Sequence, residues 1–202
     1  MLFRALDSLI QVGEPYKTLL ISGIVTTLTC LSVIIIGLLI ERLQRLEMKL
    51  LRNVFSNNLS VFIIDRVTFP GTMLHECAHA LFAWFTGAQV QRVKLLTFFN
   101  AHTLGEVIYA PRGNKLQQHV QMTFTSCAPV IMGIIELSIL AKLFQTFIFP
   151  FWLSFLLSYL FICILNHMSM SDVDIKCYLR GLIFVFPILF LFSYAARLWL
   201  YR

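Results

Sequence analysis

Two histidines and a glutamate lie close together in an otherwise apolar stretch of the sequence. They form the pattern His75-Glu76-Cys77-Ala78-His79, and Glu76 is the only formally charged residue between positions 67 and 91. On a helix, residues four positions apart share a face, so both imidazoles can bind one metal ion. Glu76 would then lie beside the metal, where a carboxylate can act as a general base toward water. The HExxH pattern therefore predicts a zinc site with hydrolytic chemistry.

The same three residues have other interpretations. Ionisable groups inside an apolar span cost several kcal/mol, so something must compensate them. One alternative is a polar cluster in the core of a helix bundle, where hydrogen bonds satisfy these groups. Another is a transport component, in which the groups line an ion path. A structural or sensing zinc site is a further alternative. It would be closed by a fourth protein ligand, for example His167, where a catalytic site keeps an open position.

A zinc site needs at least a third protein ligand, and the sequence offers few. Asp172 and Asp174 directly follow an apolar span, and Ser171, three residues before Asp174, matches a capping box that begins the next helix. Capping and ligation are compatible, because a cap fixes the orientation of the ligand. Glu136 lies inside a span. It is interpreted either as a group that supports the metal ligands or as a hydrogen-bonding partner between two helices. The full set of candidates is His102, Glu106, His119, Glu136, His167, Asp172 and Asp174.

The composition indicates that these residues lie in a membrane protein. Apolar residues make up 58% of the 202-residue chain and charged residues 13%, whereas soluble domains have about 45–50% and about 25%. This balance excludes a disordered chain, a coiled coil and a nucleic-acid-binding arm. The net charge of +6 comes from bases spread along the chain, so we expect no nucleic-acid partner. The five cysteines form no CxxC pair and predict no disulfide framework.

Five apolar segments approach the length of about 20 residues that a membrane helix needs. They predict an all-α polytopic membrane protein with about four to five membrane helices. The leucine-spaced segment from Glu41 to Arg52 predicts an amphipathic helix along the interface. The five apolar segments are 18–40, 67–91, 120–144, 147–168 and 179–200.

The region after the HExxH segment has a different character. Residues 90–96 and 105–109 are β-prone, a polar stretch separates them, and Pro111-Arg-Gly-Asn114 supplies turn residues. This pattern predicts a short β-hairpin or a re-entrant β segment after the HExxH helix.

These motifs together resemble the site-2-protease type of intramembrane zinc metalloproteases. The resemblance is carried by the segment from Phe69 to Ala80 with Gly87 after it, by Ser126-Cys-Ala-Pro129, and by Asn166 followed by Asp174. The prolines that the family has between the asparagine and the aspartate are missing, and Ile175 stands where a glycine is usual. The resemblance is therefore to a small, divergent member.

The resemblance implies one zinc ion per chain, bound by His75, His79 and Asp174, with Glu76 as the catalytic residue. The spacing of eight residues from Asn166 favours Asp174, and Asp172 is the second choice. Asn166 is expected to stabilise the oxyanion or position the substrate. The implied reaction is hydrolysis of a peptide bond in a membrane-anchored protein or peptide.

We expect a single membrane-embedded domain over 1–202, whose oligomeric state is left open. Residues 1–58 hold the first span and the interfacial helix, 59–180 the metalloprotease-like core, and 181–202 the last span. Four basic residues lie in 41–58 and four in 88–118. Both sets are cytoplasmic if the HExxH helix and the β segment re-enter together. We therefore predict a multi-pass protein of a prokaryotic plasma membrane, with its metal site near the cytoplasmic face and its N-terminus outside.

Overall fold

The computed structural model describes residues 6, 10, 13, 14, 16–95 and 105–200. Most of these residues are helical, as the composition predicts, and a π-helical turn, Ile63–Val67, joins the second helix to the third. Two antiparallel strands lie between the third and fourth helices. The elements are α1 Tyr16–Val54, α2 Asn57–Phe62, α3 Phe69–Phe85, β1 Gln89–Lys94, β2 Glu106–Ala110, α4 Lys115–Thr146, α5 Phe151–His167 and α6 Asp172–Leu200.

Three of the described helices, α1, α4 and α6, are long and apolar enough to cross a membrane. At most 33% of the residues in their most apolar windows are buried inside the protein, so most of this apolar surface faces outward, as fits a membrane protein. The apolar helix α5 has 17 residues and is about 25 Å long, which is less than the hydrocarbon thickness of about 30 Å. The mostly helical fold is confirmed, and three long apolar helices fit a membrane protein, whereas the predicted four to five spans are not confirmed.

The first helix differs from the expected span followed by a separate amphipathic helix. α1 runs without interruption for 39 residues, from Tyr16 to Val54, which is about 58 Å. Its last third contains no glycine or proline and is rich in leucine, arginine, lysine and glutamate, all of which favour a helix. The charged segment therefore continues the first span along the same axis.

Two glycines allow the helices around the HExxH segment to cross closely. A side chain at Gly71 of α3 would overlap the backbone carbonyl of Cys163 on α5, and one at Gly181 of α6 would overlap Thr123 on α4. The first half of α1 runs antiparallel to α6, with Arg197 donating to the Thr18 hydroxyl and Tyr178 donating to the Cys30 carbonyl, both at 3.2 Å. These crossings bring α3, α4, α5 and α6 together at one place in the bundle.

The β-hairpin that the sequence predicts is present in the described residues. α3 ends where Gly87 adopts a positive φ of 86°, a conformation that glycine adopts without strain and that commonly ends helices. β1 then pairs with β2, with Gln89 opposite Ala110 and Lys94 opposite Glu106. The connection between the strands, which includes the candidate ligand His102, lies outside the described residues.

Candidate metal centre

The helical spacing of the HExxH motif places its two imidazoles against each other. The ring centroids of His75 and His79 are 4.8 Å apart, and their Nε2 atoms are 3.1 Å apart. His79 is buried, and His75 is partly buried. The two ring nitrogens that face each other are therefore available to one ion.

The other ring nitrogen of each histidine is held by a backbone carbonyl. His75 Nδ1 donates to the carbonyl of His167 at 2.6 Å, and His79 Nδ1 donates to the carbonyl of Thr125 at 2.8 Å. A carbonyl oxygen only accepts, so Nδ1 carries the proton in each neutral ring and Nε2 presents a lone pair. Metal-binding histidines ordinarily have this arrangement, which fixes both the tautomer and the ring orientation.

Asp174 joins the two histidines from a distant part of the chain. Its Oδ2 atom is 3.8 Å from His79 Nε2, and one ligand atom from each of His75, His79 and Asp174 lies within 4.8 Å of the others. The three residues form the candidate metal centre. Among the described residues, this is the one such group of three or more His, Cys, Asp or Glu side chains.

The predicted capping box fixes Asp174 at the start of α6. Asp174 Oδ2 accepts hydrogen bonds from the backbone nitrogen and the hydroxyl of Ser171, at 3.0 and 2.6 Å. In return, the Asp174 backbone nitrogen donates to the Ser171 hydroxyl at 3.1 Å. The local signal in the sequence therefore correctly predicted how this carboxylate is oriented.

The other candidate ligands that the structure describes lie outside this group. Asp172 is exposed at the first residue of α6. The ring of His119 stacks on Phe184, with centroids 4.1 Å apart, and Glu106 lies 3.7 Å from Lys94 across the hairpin. His167 contributes its carbonyl, and its own Nδ1 donates to the Cys163 carbonyl at 3.1 Å.

Glu76 lies beside the candidate metal centre, in close contact with the beginning of β2. A Cβ atom at Gly105 would lie 2.5 Å from Glu76 Cγ and 3.1 Å from Glu76 Oε1. Only a glycine fits there without moving the carboxylate. Sequence reasoning treated Gly105 as the first residue of a strand and missed this contact, because the two residues are neighbours only in the folded chain.

A cavity of about 840 Å³ extends from His75 and Glu76 to the last third of α1. Its size is that of a ligand pocket. The wall on α1 includes Gln44, Arg45 and Lys49, which the sequence alone did not connect with the HExxH motif. Glu76 therefore faces an open cavity whose wall includes charged side chains.

Asn166 is buried and has partners on α1. Its side-chain amide donates to Glu47 Oε2 at 2.8 Å, and its backbone carbonyl accepts from the Gln44 side chain. These bonds fix the end of α5, where the next residue, His167, holds His75 through its carbonyl. The described contacts of Asn166 are therefore with Glu47 and Gln44 of α1, and its predicted role toward an oxyanion or substrate stays a prediction.

Two ionisable groups near the centre lie outside the long apolar helices. Burial, followed by the nearby Cys177 and Asp174, raises the pKa of Tyr109, on β2, to about 12, while a hydrogen bond with Thr125 opposes this rise. Its hydroxyl therefore remains protonated and able to donate. Burial also raises the pKa of Asp65, on the π-helical turn, while the nearby His167 and Arg66 oppose this rise.

Comparison of the chain with protein-family models, with curated proteins and with solved structures found no match. The resemblance to site-2 proteases therefore rests on the motifs quoted above. The chemistry of the site is inferred from the geometry of His75, His79, Asp174 and Glu76.

Proposed function

We propose that this chain is an intramembrane zinc endopeptidase that hydrolyses a peptide bond of a membrane-anchored protein or peptide. The observation that carries the proposal is the convergence of ligand atoms from His75, His79 and Asp174 within 4.8 Å, with Glu76 next to them in the HExxH motif. The supporting features are the fixed tautomers of both histidines and the cavity that reaches Glu76.

Two of the three separations between the ligand atoms are close to those around a zinc ion. Tetrahedral ligands at about 2.0–2.1 Å from zinc are about 3.4 Å from one another. The separation is 3.1 Å between the two histidine Nε2 atoms and 3.8 Å between His79 Nε2 and Asp174 Oδ2. Three protein ligands are typical of catalytic zinc sites, which leave a fourth position open, whereas structural sites use four. Among the described residues the count is three, which favours catalysis over the structural or sensing alternative.

Glu76 has the position and chemistry of a general base. Zinc, when bound, supplies Lewis-acid activation of water and of the scissile carbonyl. Glu76 accepts the proton of the attacking water and later donates it to the leaving amine. Gly105, directly before β2, lets the backbone approach the carboxylate closely. The Nδ1 bonds of the two histidines keep both Nε2 atoms directed at one point throughout.

The β-hairpin provides a surface on which an extended substrate could lie. Each strand of this two-stranded sheet pairs only with the other in the described residues, so each has an outer edge with unpaired backbone groups. A peptide that adds a strand satisfies such groups and exposes its own carbonyls to attack. Irregular backbone at membrane depth requires a protein-lined or water-filled cavity, and the cavity beside Glu76 meets that need. The simpler interpretation is a hairpin that only covers the bundle.

The proposed location is a prokaryotic plasma membrane, with several membrane crossings and the candidate metal centre near the cytoplasmic face. Support comes from the basic residues that follow the apolar part of α1. Arg42, Arg45, Lys49 and Arg52 lie in the segment that reaches the cavity, and basic residues next to a span favour the cytoplasmic side.

Replacing Glu76 by Gln tests the catalytic assignment. The amide cannot accept a proton but keeps the shape of the side chain. We therefore expect E76Q to retain one zinc per chain and to lose cleavage of a membrane-anchored substrate by about 10²–10⁴-fold. Metal analysis and cleavage by the purified protein are measured on the same preparation. Unchanged biological activity of E76Q would rule against catalysis and favour a structural or sensing site.

The ligand assignment is tested by zinc stoichiometry. We expect D174A to lose zinc and D172A to keep it, because Asp174 alone of the two is next to His79. H167A is the control for a closed site. If His167 were a fourth protein ligand, this substitution would lower the zinc affinity directly. Loss of zinc from D172A but not from D174A would show that the ligand is wrongly assigned.

A further inference from the structure

The cavity beside Glu76 has a positively charged wall. Arg45, Lys49 and Arg52 of α1 all line it, and their spacing of four and three residues places them on one face of the helix. We call these three residues the basic wall. Arg42 belongs to the same charged segment but is not among the residues that line the cavity, so the basic residues that face Glu76 are a subset of those on α1.

The charges of the basic wall are only partly neutralised by the protein. Arg45 pairs with Glu41 one turn earlier. Lys49 and Arg52 are exposed and have no ion pair with any described residue. Across the cavity lie Asp65 and Glu76. The cavity is thus positive on the side of α1 and negative on the opposite side.

A buried polar group on α3 also lacks a partner. Thr72 lies one turn before His75, lines the same cavity and is 6% exposed. Its hydroxyl has no hydrogen-bond partner among the described residues, and a buried hydroxyl without a partner costs about 1–3 kcal/mol. The hydroxyl oxygen is itself covered by protein, so the feature that the cavity offers to a ligand is the positive charge of Lys49 and Arg52.

We propose that the basic wall selects substrates with acidic residues next to the scissile bond, bound so that these residues face Lys49 and Arg52. This proposal rests on the proposed endopeptidase function and names its substrate class. A carboxylate there would gain charge-assisted hydrogen bonds from side chains that lack them. A basic segment would be repelled by the same wall. Anionic lipid headgroups share this chemistry, but a peptide is favoured because the basic wall lines the same cavity as His75 and Glu76.

Binding of matched peptides tests the proposal without requiring cleavage. The probes are two single-span peptides in phosphatidylcholine vesicles, identical except that the flank of the span carries Asp and Glu in one and Lys and Arg in the other. The receptor is the full-length, zinc-loaded E76Q variant. We expect the acidic peptide to bind at least about tenfold more tightly, which corresponds to about 1.4 kcal/mol.

Charge reversal on α1 provides the matched variants. K49E/R52E in the E76Q background should invert the preference, and K49Q/R52Q should abolish it, whereas R42E should leave it intact because Arg42 does not line the cavity. Equal binding of the two peptides to unaltered E76Q would overturn the proposal. A second outcome would also overturn it: charge reversal changes binding only when the vesicles contain phosphatidylserine, and by the same factor for both peptides. The basic wall would then bind lipid.

Failure of the endopeptidase function would give a different result. To test that function alone, cleavage of the acidic peptide is compared between the zinc-loaded unaltered protein and the zinc-loaded E76Q variant. A peptide preference that follows the charge of the basic wall, together with cleavage that does not depend on Glu76, would contradict the proposed function. Glu76-dependent cleavage with no charge preference would contradict only the basic wall's role.

Discussion

The two histidines are oriented by main-chain atoms. The carbonyls of His167 and Thr125 accept from the two Nδ1 atoms, and no side-chain substitution removes a carbonyl. The tautomers therefore depend on where α4 and α5 pass α3. Asp174 is oriented differently, by the side chain and backbone of Ser171. At the residue scale, the centre thus combines two ligands set by helix packing with one set by a local cap.

The close approach of Gly105 to Glu76 leads to a prediction about the general base. Its missing side chain leaves room for Glu76, and a Cβ atom would lie 2.5 Å from Glu76 Cγ. G105A should displace the carboxylate without touching the three ligands. A displacement of about 1 Å at a catalytic group can reduce the rate by about 10²-fold. We therefore expect G105A to lower kcat by about this factor and to keep one zinc per chain.

The measurement is single-turnover cleavage together with metal analysis of the same sample. Loss of zinc from G105A would show that the hairpin supports the metal ligands. An unchanged kcat would show that Glu76 tolerates the displacement, or that it is not the base.

At the scale of elements, the site depends on the close crossing of α3 and α5. Gly71 lies one turn before His75, and a side chain there would overlap the carbonyl of Cys163 and approach His167 Nδ1. G71A must push α5 away and take with it the His167 carbonyl that holds His75. Overpacking of this kind costs about 1–3 kcal/mol. We expect G71A to lower both the free energy of unfolding and the zinc affinity.

Gly23 of α1 provides the matched control, because a Cβ atom there would meet nothing closer than 3.8 Å, on Phe190. Thermal unfolding in detergent and zinc titration should show G23A close to the unaltered protein and G71A clearly weaker in both. Equal behaviour of the two variants would mean that α5 does not need its present position to hold His75.

Local patterns made some of these elements predictable. HExxH depends on helical periodicity, and the Ser171–Asp174 cap depends on four consecutive residues, so the sequence alone indicated both. The hairpin followed from β-prone residues and turn chemistry. The contact between Gly105 and Glu76 and the basic wall beside the HExxH helix join residues about 25 to 30 positions apart. They depend on how the elements pack, which no local periodicity encodes.

At the scale of the whole molecule, a cavity with charged residues in its wall lies within a bundle whose long helices are largely apolar on the outside. Most residues in the apolar windows of α1, α4 and α6 are not covered by protein, so lipid would complete their burial. The candidate centre and its cavity are instead formed where α1, α3, α5 and the beginning of α6 meet. Water can reach a hydrolytic site only through such a cavity, which makes its orientation in the membrane a functional question.

Cysteine labelling tests that orientation. Lys49 and Gly105 line the same cavity, and Lys94 pairs with Glu106 directly after Gly105. K49C and K94C should therefore react with a membrane-impermeant maleimide from one face, which we expect to be cytoplasmic. Tyr16 lies 33 residues before Lys49 on the same continuous helix, a distance of about 50 Å, so Y16C should react from the other face.

The exposed Cys77 and half-buried Cys177 are first replaced by Ala. Labelling of K49C and K94C from opposite faces would rule out the arrangement, because a bilayer would then separate two residues that the fold places beside one cavity.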